Sequence, residues 1–212
     1  VLALSLTLLA GCGGGGGGEE QQFEEQTVIL PVERALSGFI SENGFTSQDN
    51  DAFVGTIPDI GGFLEERGIL TFDLSAIPED ATIVSAELRT LQGTATGTPY
   101  DQVGRVIVDH IAGLAPGVDF ADFNSQPLAV ITVPPLSEDA VEEIKTLDVT
   151  SRVAADMAAN RGESKFRLRG QAIDPATAGN NDPIDPVDLA RFLTDTGETV
   201  LEIVIEVPAE DS

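Results

Sequence analysis

Three basic side chains alternate with apolar residues along one short segment, and they are the first candidates for chemistry in this sequence. They are Lys165, Arg167 and Arg169. In a β-strand this spacing places all three charges on one face. Guanidinium groups bind carboxylates through paired hydrogen bonds, so one interpretation is a clamp for an anionic polymer such as a uronate glycan. The other interpretation is cross-strand pairing with acidic neighbours such as Glu87.

Two loops, 48–51 and 180–188, are rich in carboxylate and amide oxygens, which are the ligands that Ca²⁺ prefers. Their candidate metal ligands are Asp49, Asp51, Asp182, Asp185 and Asp188. Neither loop has the spacing of an EF-hand, and solvated turns have a similar composition. Ca²⁺ is therefore the one candidate cofactor, with ordinary turn chemistry as the alternative.

Candidate catalytic side chains are few. His110 is the only histidine and Tyr100 the only tyrosine, and together they could serve as base and acid in β-elimination from a uronate. The alternative for His110 is a strand residue whose ring nitrogen is hydrogen-bonded. Glu65 and Glu66 could supply half of a glycosidase carboxylate pair, in a loop without an identifiable partner. No nucleophile elbow, phosphate-binding loop or zinc-ligand spacing is present in the sequence, so we expect a protein that is not an enzyme.

The elements that would position these residues are mostly strands, because period-2 hydrophobic patterns dominate from Thr27 onward. The predicted strands are 27–32, 68–73, 82–91, 105–111, 130–133, 144–149, 165–169 and 200–207. In the third strand, Val84, Ala86 and Leu88 share one face, and either Ile83 or Val84 would enter the core. The last strand alternates most clearly, with one apolar face (Leu201, Ile203, Ile205 and Val207) and the opposite face carrying Glu202 and Glu206. The fourth strand is apolar on both faces, so we expect it to be central in its sheet.

One helix is predicted at 150–162. Thr150 would be its N-cap, and Gly162 would take the left-handed conformation at its C-terminal end. Many short strands, long loops rich in Gly, Pro and Asp, and a single short helix indicate an all-β fold, specifically a jelly-roll-like β-sandwich.

The charge of the chain is extreme. The sequence has 36 acidic and 11 basic residues, which give a formal net charge of −25. Such a surface repels nucleic acid, and it also repels anionic lipid head groups. Salt screens the self-repulsion of such a chain, so the composition suits a saline or divalent-rich medium; a merely soluble acidic exported protein is the alternative.

The N-terminus resembles a bacterial lipobox. An apolar run at 1–9 leads into Leu-Ala-Gly-Cys at 9–12, and six glycines follow. The run is shorter than the roughly 20 residues that a spanning helix needs. The resemblance implies cleavage before Cys12, the only cysteine, and attachment of diacylglycerol and an acyl chain such as palmitate. We therefore predict a partial signal peptide at 1–11, a lipidated cysteine and flexible acidic tether at 12–26, and a β-sandwich domain at 27–212.

The middle of the chain resembles the DNRLRE-type domain. The resemblance is carried by RGILTFDLSAIP at 67–78 and ATIVSAELR at 81–89, then by LDVT at 147–150 and FRLR at 166–169. That family is similar to the alginate-binding carbohydrate-binding modules, which implies a jelly-roll sandwich on an exported or surface protein. A tryptophan-bearing segment frequent in the family is missing, because the chain has no tryptophan. The same segments also have a structural explanation, since Phe72 and Leu74 would enter the core.

Together these observations predict a lipid-anchored protein of the cell envelope, at the outer membrane or cell surface rather than the cytoplasmic membrane. Its sandwich would be a non-catalytic binding module for polysaccharide. We expect an anionic glycan, because the absence of tryptophan and the few aromatic residues argue against stacking on neutral sugar rings. The alternative is a structural or adhesive surface lipoprotein that binds a protein partner.

Overall fold

The computed structural model describes residues 5–6, 22–60, 62–113, 116–171 and 187–209. Within them, strands predominate and two short helices, α1 (Pro99–Val103) and α2 (Thr150–Ala158), interrupt them. The strands are β1 (Ser5–Leu6), β2 (Phe23–Pro31), β3 (Gly38–Ser41), β4 (Thr46–Gln48), β5 (Ala52–Asp59), β6 (Gly62–Asp73), β7 (Thr82–Gln92), β8 (Val106–Ile111), β9 (Ala129–Ile131), β10 (Ile144–Asp148), β11 (Glu163–Gly170), β12 (Asp188–Leu193) and β13 (Val200–Pro208).

All of these strands pair antiparallel and form a sandwich-like fold. One layer has the order β2-β13-β7, with β10 on the other side of β7. The second layer has the order β12-β5-β6-β11-β8-β9; β3 also pairs with β6, and β4 pairs with β3. The layers join where β12 meets β7 through only two residue pairs, Phe192 with Gln92 and Leu193 with Leu91. The predicted all-β, sandwich-like class is therefore confirmed.

The main core lies between the two layers. Leu88 and Ile203 come from the first layer, and Phe72 and Phe166 from the second, where their rings pack edge to face with centroids 6.2 Å apart. The alternation predicted for the last strand holds, because its apolar residues fill this core. The central position predicted for 105–111 also holds, since every residue of β8 is buried and the strand pairs with both β11 and β9.

A second, smaller core lies on the outer face of the second layer. It contains Ile40, Ile69 and Ile111 from three strands, and Val118 and Phe123 from a loop that crosses over them. We call 117–125 the covering loop. Because this loop buries an outer sheet face, Lys165 and Arg167 of β11, which point away from the main core, are buried as well, and Arg169 is partly buried.

Several boundaries differ from the prediction. β7 has a bulge opposite Val204 and Ile205, which turns Val84 outward (43% exposed) and lets Ile83 pack against the core instead. β2 begins at Phe23, so the last residues assigned to the tether belong to the sheet. The expectation of a single helix was wrong, because a second one starts at Pro99.

The ends of α2 also differ from the prediction. Val149 occupies the N-cap position, and Thr150 is the first helical residue, whose hydroxyl contacts Asp148 Oδ1 at 2.6 Å. At the other end Asn160 takes the left-handed conformation at φ 52°, and Gly162 does not. The amide of Asn160 donates to Met157 O and that of the next residue to Asp156 O, which is a Schellman motif with asparagine in place of glycine.

Candidate functional site

The three basic residues of β11 share one face, as the alternation predicts, but that face is not open. Lys165 is 1% exposed and its ammonium lies 2.6 Å from Asp122 Oδ2. Arg167 lies 2.5 Å and Arg169 2.8 Å from the same oxygen of Asp109. The prediction of an accessible clamp is therefore corrected: these cations pair with carboxylates of the chain itself. The predicted partner Glu87 was also wrong, because it lies in the other layer.

The covering loop explains this burial. Its backbone carbonyls accept from the basic side chains: Gly117 O from Lys165 Nζ at 2.5 Å, and Phe123 O from Arg167 Nη1 at 2.9 Å. Burial lowers the pKa of Arg167, while the hydrogen bond to Asp109 opposes that shift. The face is thus a buried ionic layer that fixes the loop to the sheet.

The predicted calcium ligands are dispersed. Asp49 pairs with Arg34, while Asp51 accepts from Arg191 and from the Thr194 amide. Asp188 accepts from the amide of residue 98 at 2.5 Å. Asp182 and Asp185 lie outside the described residues. Within the part of the chain that the structure describes, no group of three or more His, Cys, Asp or Glu side chains could hold a metal.

The histidine and the tyrosine have separate structural partners. His110 is buried, and its Nε2 lies 2.9 and 2.8 Å from the two carboxylate oxygens of Asp156. The Tyr100 hydroxyl lies 2.7 Å from Gln92 Oε1 and 2.8 Å from Ser137 Oγ, within hydrogen-bond distance of both. The interpretation of His110 as a hydrogen-bonded strand residue is confirmed, and its ring is engaged by Asp156 rather than by Tyr100.

An aromatic cleft of about 340 Å³ opens on the second layer, and sequence reasoning missed it. We call it the phenylalanine cleft. Its lining residues are Phe39, Ser41, Asn43, Phe45, Phe53, Ile57, Glu66 and Leu189. Phe39 packs edge to face on Phe53 with centroids 5.2 Å apart, and it lies 6.0 Å from Phe45, which is 58% exposed. The rings therefore line a recess whose mouth carries an exposed aromatic side chain.

The register of four strands produces this recess. Gly55 of β5 lies opposite Glu66 on one side and Leu189 on the other, so no side chain stands between them. The glycine is required, because at its φ of 151° an added Cβ would lie 1.9 Å from Asp188 O. Phe53 is two residues from this glycine, and period-2 alternation places it beside the gap.

Glu66 gives the cleft its one buried carboxyl group. It lies in β6, not in the loop that the sequence indicated, and it is 2% exposed. Its Oε1 accepts from the Ser41 hydroxyl at 2.6 Å, whereas Oε2 has no hydrogen-bond partner among the described residues. Burial raises the pKa of Glu66, and the Ser41 hydrogen bond opposes that shift. Its neighbour Glu65 differs, because it pairs with Arg67 at 2.7 Å.

The sequence held a partial signal for this cleft. Phe39, Phe45 and Phe53 interrupt a polar, glycine-containing stretch in which the hydrophobic periodicity is weak. Their convergence depends on β3 and β5 pairing with opposite edges of β6, which no local pattern encodes.

No protein-family model matches the chain, and no curated protein matches it. The resemblance to the DNRLRE-type domain stays a prediction that depends on the quoted segments alone. Cys12, the predicted lipid attachment site, lies outside the described residues. Among those residues, no helix has the length and apolar character needed to cross a bilayer.

Proposed function

We propose that this chain is an exported, lipid-anchored protein of the cell envelope whose β-sandwich is a non-catalytic polysaccharide-binding module, and that the phenylalanine cleft is its binding site. The observation that carries the proposal is the convergence of an exposed aromatic ring, two further rings and a buried carboxyl group in one recess. Sugar rings bind through apolar C–H faces and through hydroxyl groups. In this recess the phenyl rings can pack against the C–H faces, and the carboxyl group can form hydrogen bonds with the hydroxyl groups.

The charge distribution favours the phenylalanine cleft, rather than the basic residues of β11, as the polysaccharide-binding site. The cations of β11 are engaged by Asp109 and Asp122, so they offer no free charge to an anionic polymer. Two other hollows on the surface are bordered by carboxylates, one by Glu87, Asp148 and Glu202. The proposal therefore does not depend on an anionic glycan, although that class belongs in the test.

The test is affinity electrophoresis of the full chain carrying Cys12→Ser through gels that contain neutral, uronate or amino polysaccharides, with and without Ca²⁺. At least one polymer should retard the parent, and Phe45→Ala should remove most of that retardation. The matched control is Phe23→Ala, because Phe23 is similarly exposed (56%) but lies in the other layer. Equal retardation of both variants and the parent would contradict the cleft as the site.

A protein partner is the second candidate, and one surface favours it. Leu128, Val130 and Val133 are 46, 40 and 83% exposed around the edge strand β9. Exposed apolar residues beside a sheet edge are suited to pairing with another chain. If no polysaccharide in the panel retards the parent, this candidate replaces the first.

A further inference from the structure

The free oxygen of Glu66 distinguishes the phenylalanine cleft from a purely apolar recess. A buried carboxyl oxygen without a partner is costly, and nearly all such groups in folded proteins are satisfied by a protein group, water or a ligand. No basic side chain among the described residues fills this role. The adjacent Arg67 is occupied, since its Nη2 donates to Glu65 at 2.8 Å and its guanidinium carbon lies 4.0 Å from the centre of the Phe123 ring.

The rings beside this carboxyl group also favour positive charge. The face of a phenyl ring carries negative potential, so a desolvated cation next to it is attracted. Phe39, Phe45 and Phe53 contribute three such rings to one recess. An aromatic recess that is also lined by the carboxyl-bearing residue Glu66 is complementary to an ammonium group carried on a partly apolar body.

The net negative charge of the whole protein also favours a cationic ligand. A formal net charge of −25 raises the local concentration of cations and lowers that of anions around the chain. This long-range effect has no positional preference, so it cannot by itself select a site. Glu66 and the rings supply the local recognition that the net charge lacks.

We infer that the phenylalanine cleft binds the ammonium group of an amino-sugar polymer, with Glu66 as the specificity-determining residue that accepts from the ammonium and the exposed ring of Phe45 packing against the sugar. The inference rests on the proposed polysaccharide-binding function and names its substrate class. It differs from recognition of a uronate, whose carboxylate would face the carboxyl group of Glu66 and the net negative charge of the chain.

The test compares two oligosaccharides with the same backbone: a hexamer of β-1,4-linked glucosamine and its fully N-acetylated counterpart. Binding to the full chain is measured by titration calorimetry at one fixed ionic strength. The glucosamine hexamer should bind at least about tenfold more tightly, because only it carries the ammonium groups. Glu66→Gln should abolish this advantage.

Two variants keep the test specific. Glu79→Gln removes one negative charge from an exposed site outside the cleft, and it should leave the advantage intact. Phe45→Leu keeps an apolar side chain but removes the aromatic face. Because Phe45 is exposed, we expect this variant to fold, so it still tests the inference if Glu66→Gln does not fold. It should weaken glucosamine hexamer binding more than binding of the acetylated hexamer.

The outcomes separate the inference from the proposed function. Equal binding of the two hexamers by the parent overturns the ammonium inference and leaves polysaccharide binding intact. Binding of neither hexamer, with retardation by another polymer, also overturns the inference alone. Binding of no polysaccharide at all overturns both. If free glucosamine competes as strongly as the hexamer, the assignment of a polymer is overturned.

Discussion

Replacing Asp109 by asparagine should destabilise the fold far more than a surface charge change would. Asp109 is fully buried, and its Oδ2 accepts from Arg167 Nε at 3.0 Å, from Arg167 Nη2 at 2.5 Å and from Arg169 Nε at 2.8 Å. Asparagine has nearly the same shape but no charge. It would leave the guanidinium of Arg167, whose side chain is 4% exposed, without its carboxylate.

The expected magnitude follows from this burial. Removing one partner of a buried ion pair costs about 3–5 kcal/mol, because the other charge stays desolvated. For a domain of this size that corresponds to a fall in Tm of roughly 6–20 °C. The surface control is Glu138→Gln, which breaks a 3.2 Å pair with Arg105 in which both side chains are about half exposed. That change should stay within about 0.5 kcal/mol.

The assay is urea unfolding followed by circular dichroism, with the double variant Asp109→Asn/Arg167→Met as a further arm. Removing both buried charges should cost less than the sum of the two single changes, since the deeply buried guanidinium of Arg167 is no longer left without its carboxylate. Arg169 also loses Asp109, but its side chain is 23% exposed, so water can solvate its charge. If Asp109→Asn lost less than about 1 kcal/mol, Arg167 would not depend on this carboxylate. The account of β11 as a buried ionic layer would then be wrong, and an accessible basic strand would return as a candidate.

Two further predictions concern the cleft and the anchor. Burial raises the pKa of Glu66 above its ordinary value of 4.5, so the folded protein binds the proton more tightly than the unfolded chain. The stability that this proton contributes is complete below the unfolded pKa and is lost as the pH rises through the folded pKa. Glu66→Gln should therefore gain stability relative to the parent as the pH rises above 4.5; parallel profiles of free energy of unfolding against pH would contradict this. Cys12→Ser should move the protein from the membrane fraction to the soluble fraction, because about 0.8 kcal/mol for each buried CH₂ of the acyl chains is lost; a serine variant that still requires detergent would refute the lipobox prediction.

The sequence predicted the strands whose alternation is undisturbed and failed where backbone geometry intervenes. The last strand, β13, alternates without interruption, and its buried face was predicted correctly. In β7 the bulge shifts the register, so Val84 points outward although the pattern places it inside. β5 was not predicted, because Gly55 interrupts its hydrophobic pattern. The glycine is needed because Asp188 O of β12 occupies the space that a Cβ at position 55 would take.

The candidate site was less predictable than the fold, since both of its features depend on long-range packing. The alternation of Lys165, Arg167 and Arg169 correctly places the charges on one face. Whether that face is open depends on the covering loop, about 45 residues earlier in the chain. In the same way, Glu66 was recognisable as an unusual carboxylate only after its strand, its burial and its unpartnered oxygen were known.

Mapping where a polysaccharide binds would show whether the phenylalanine cleft is the binding site. The ¹⁵N-labelled Cys12→Ser chain would be titrated with an oligosaccharide from the polymer that retards it most, and amide shifts would be followed by NMR. If the phenylalanine cleft is the binding site, the largest shifts will cluster at 39–45, at 53–57, at Glu66 and at Leu189. Shifts concentrated on β11 and the covering loop, with none at the phenylalanine cleft, would contradict it.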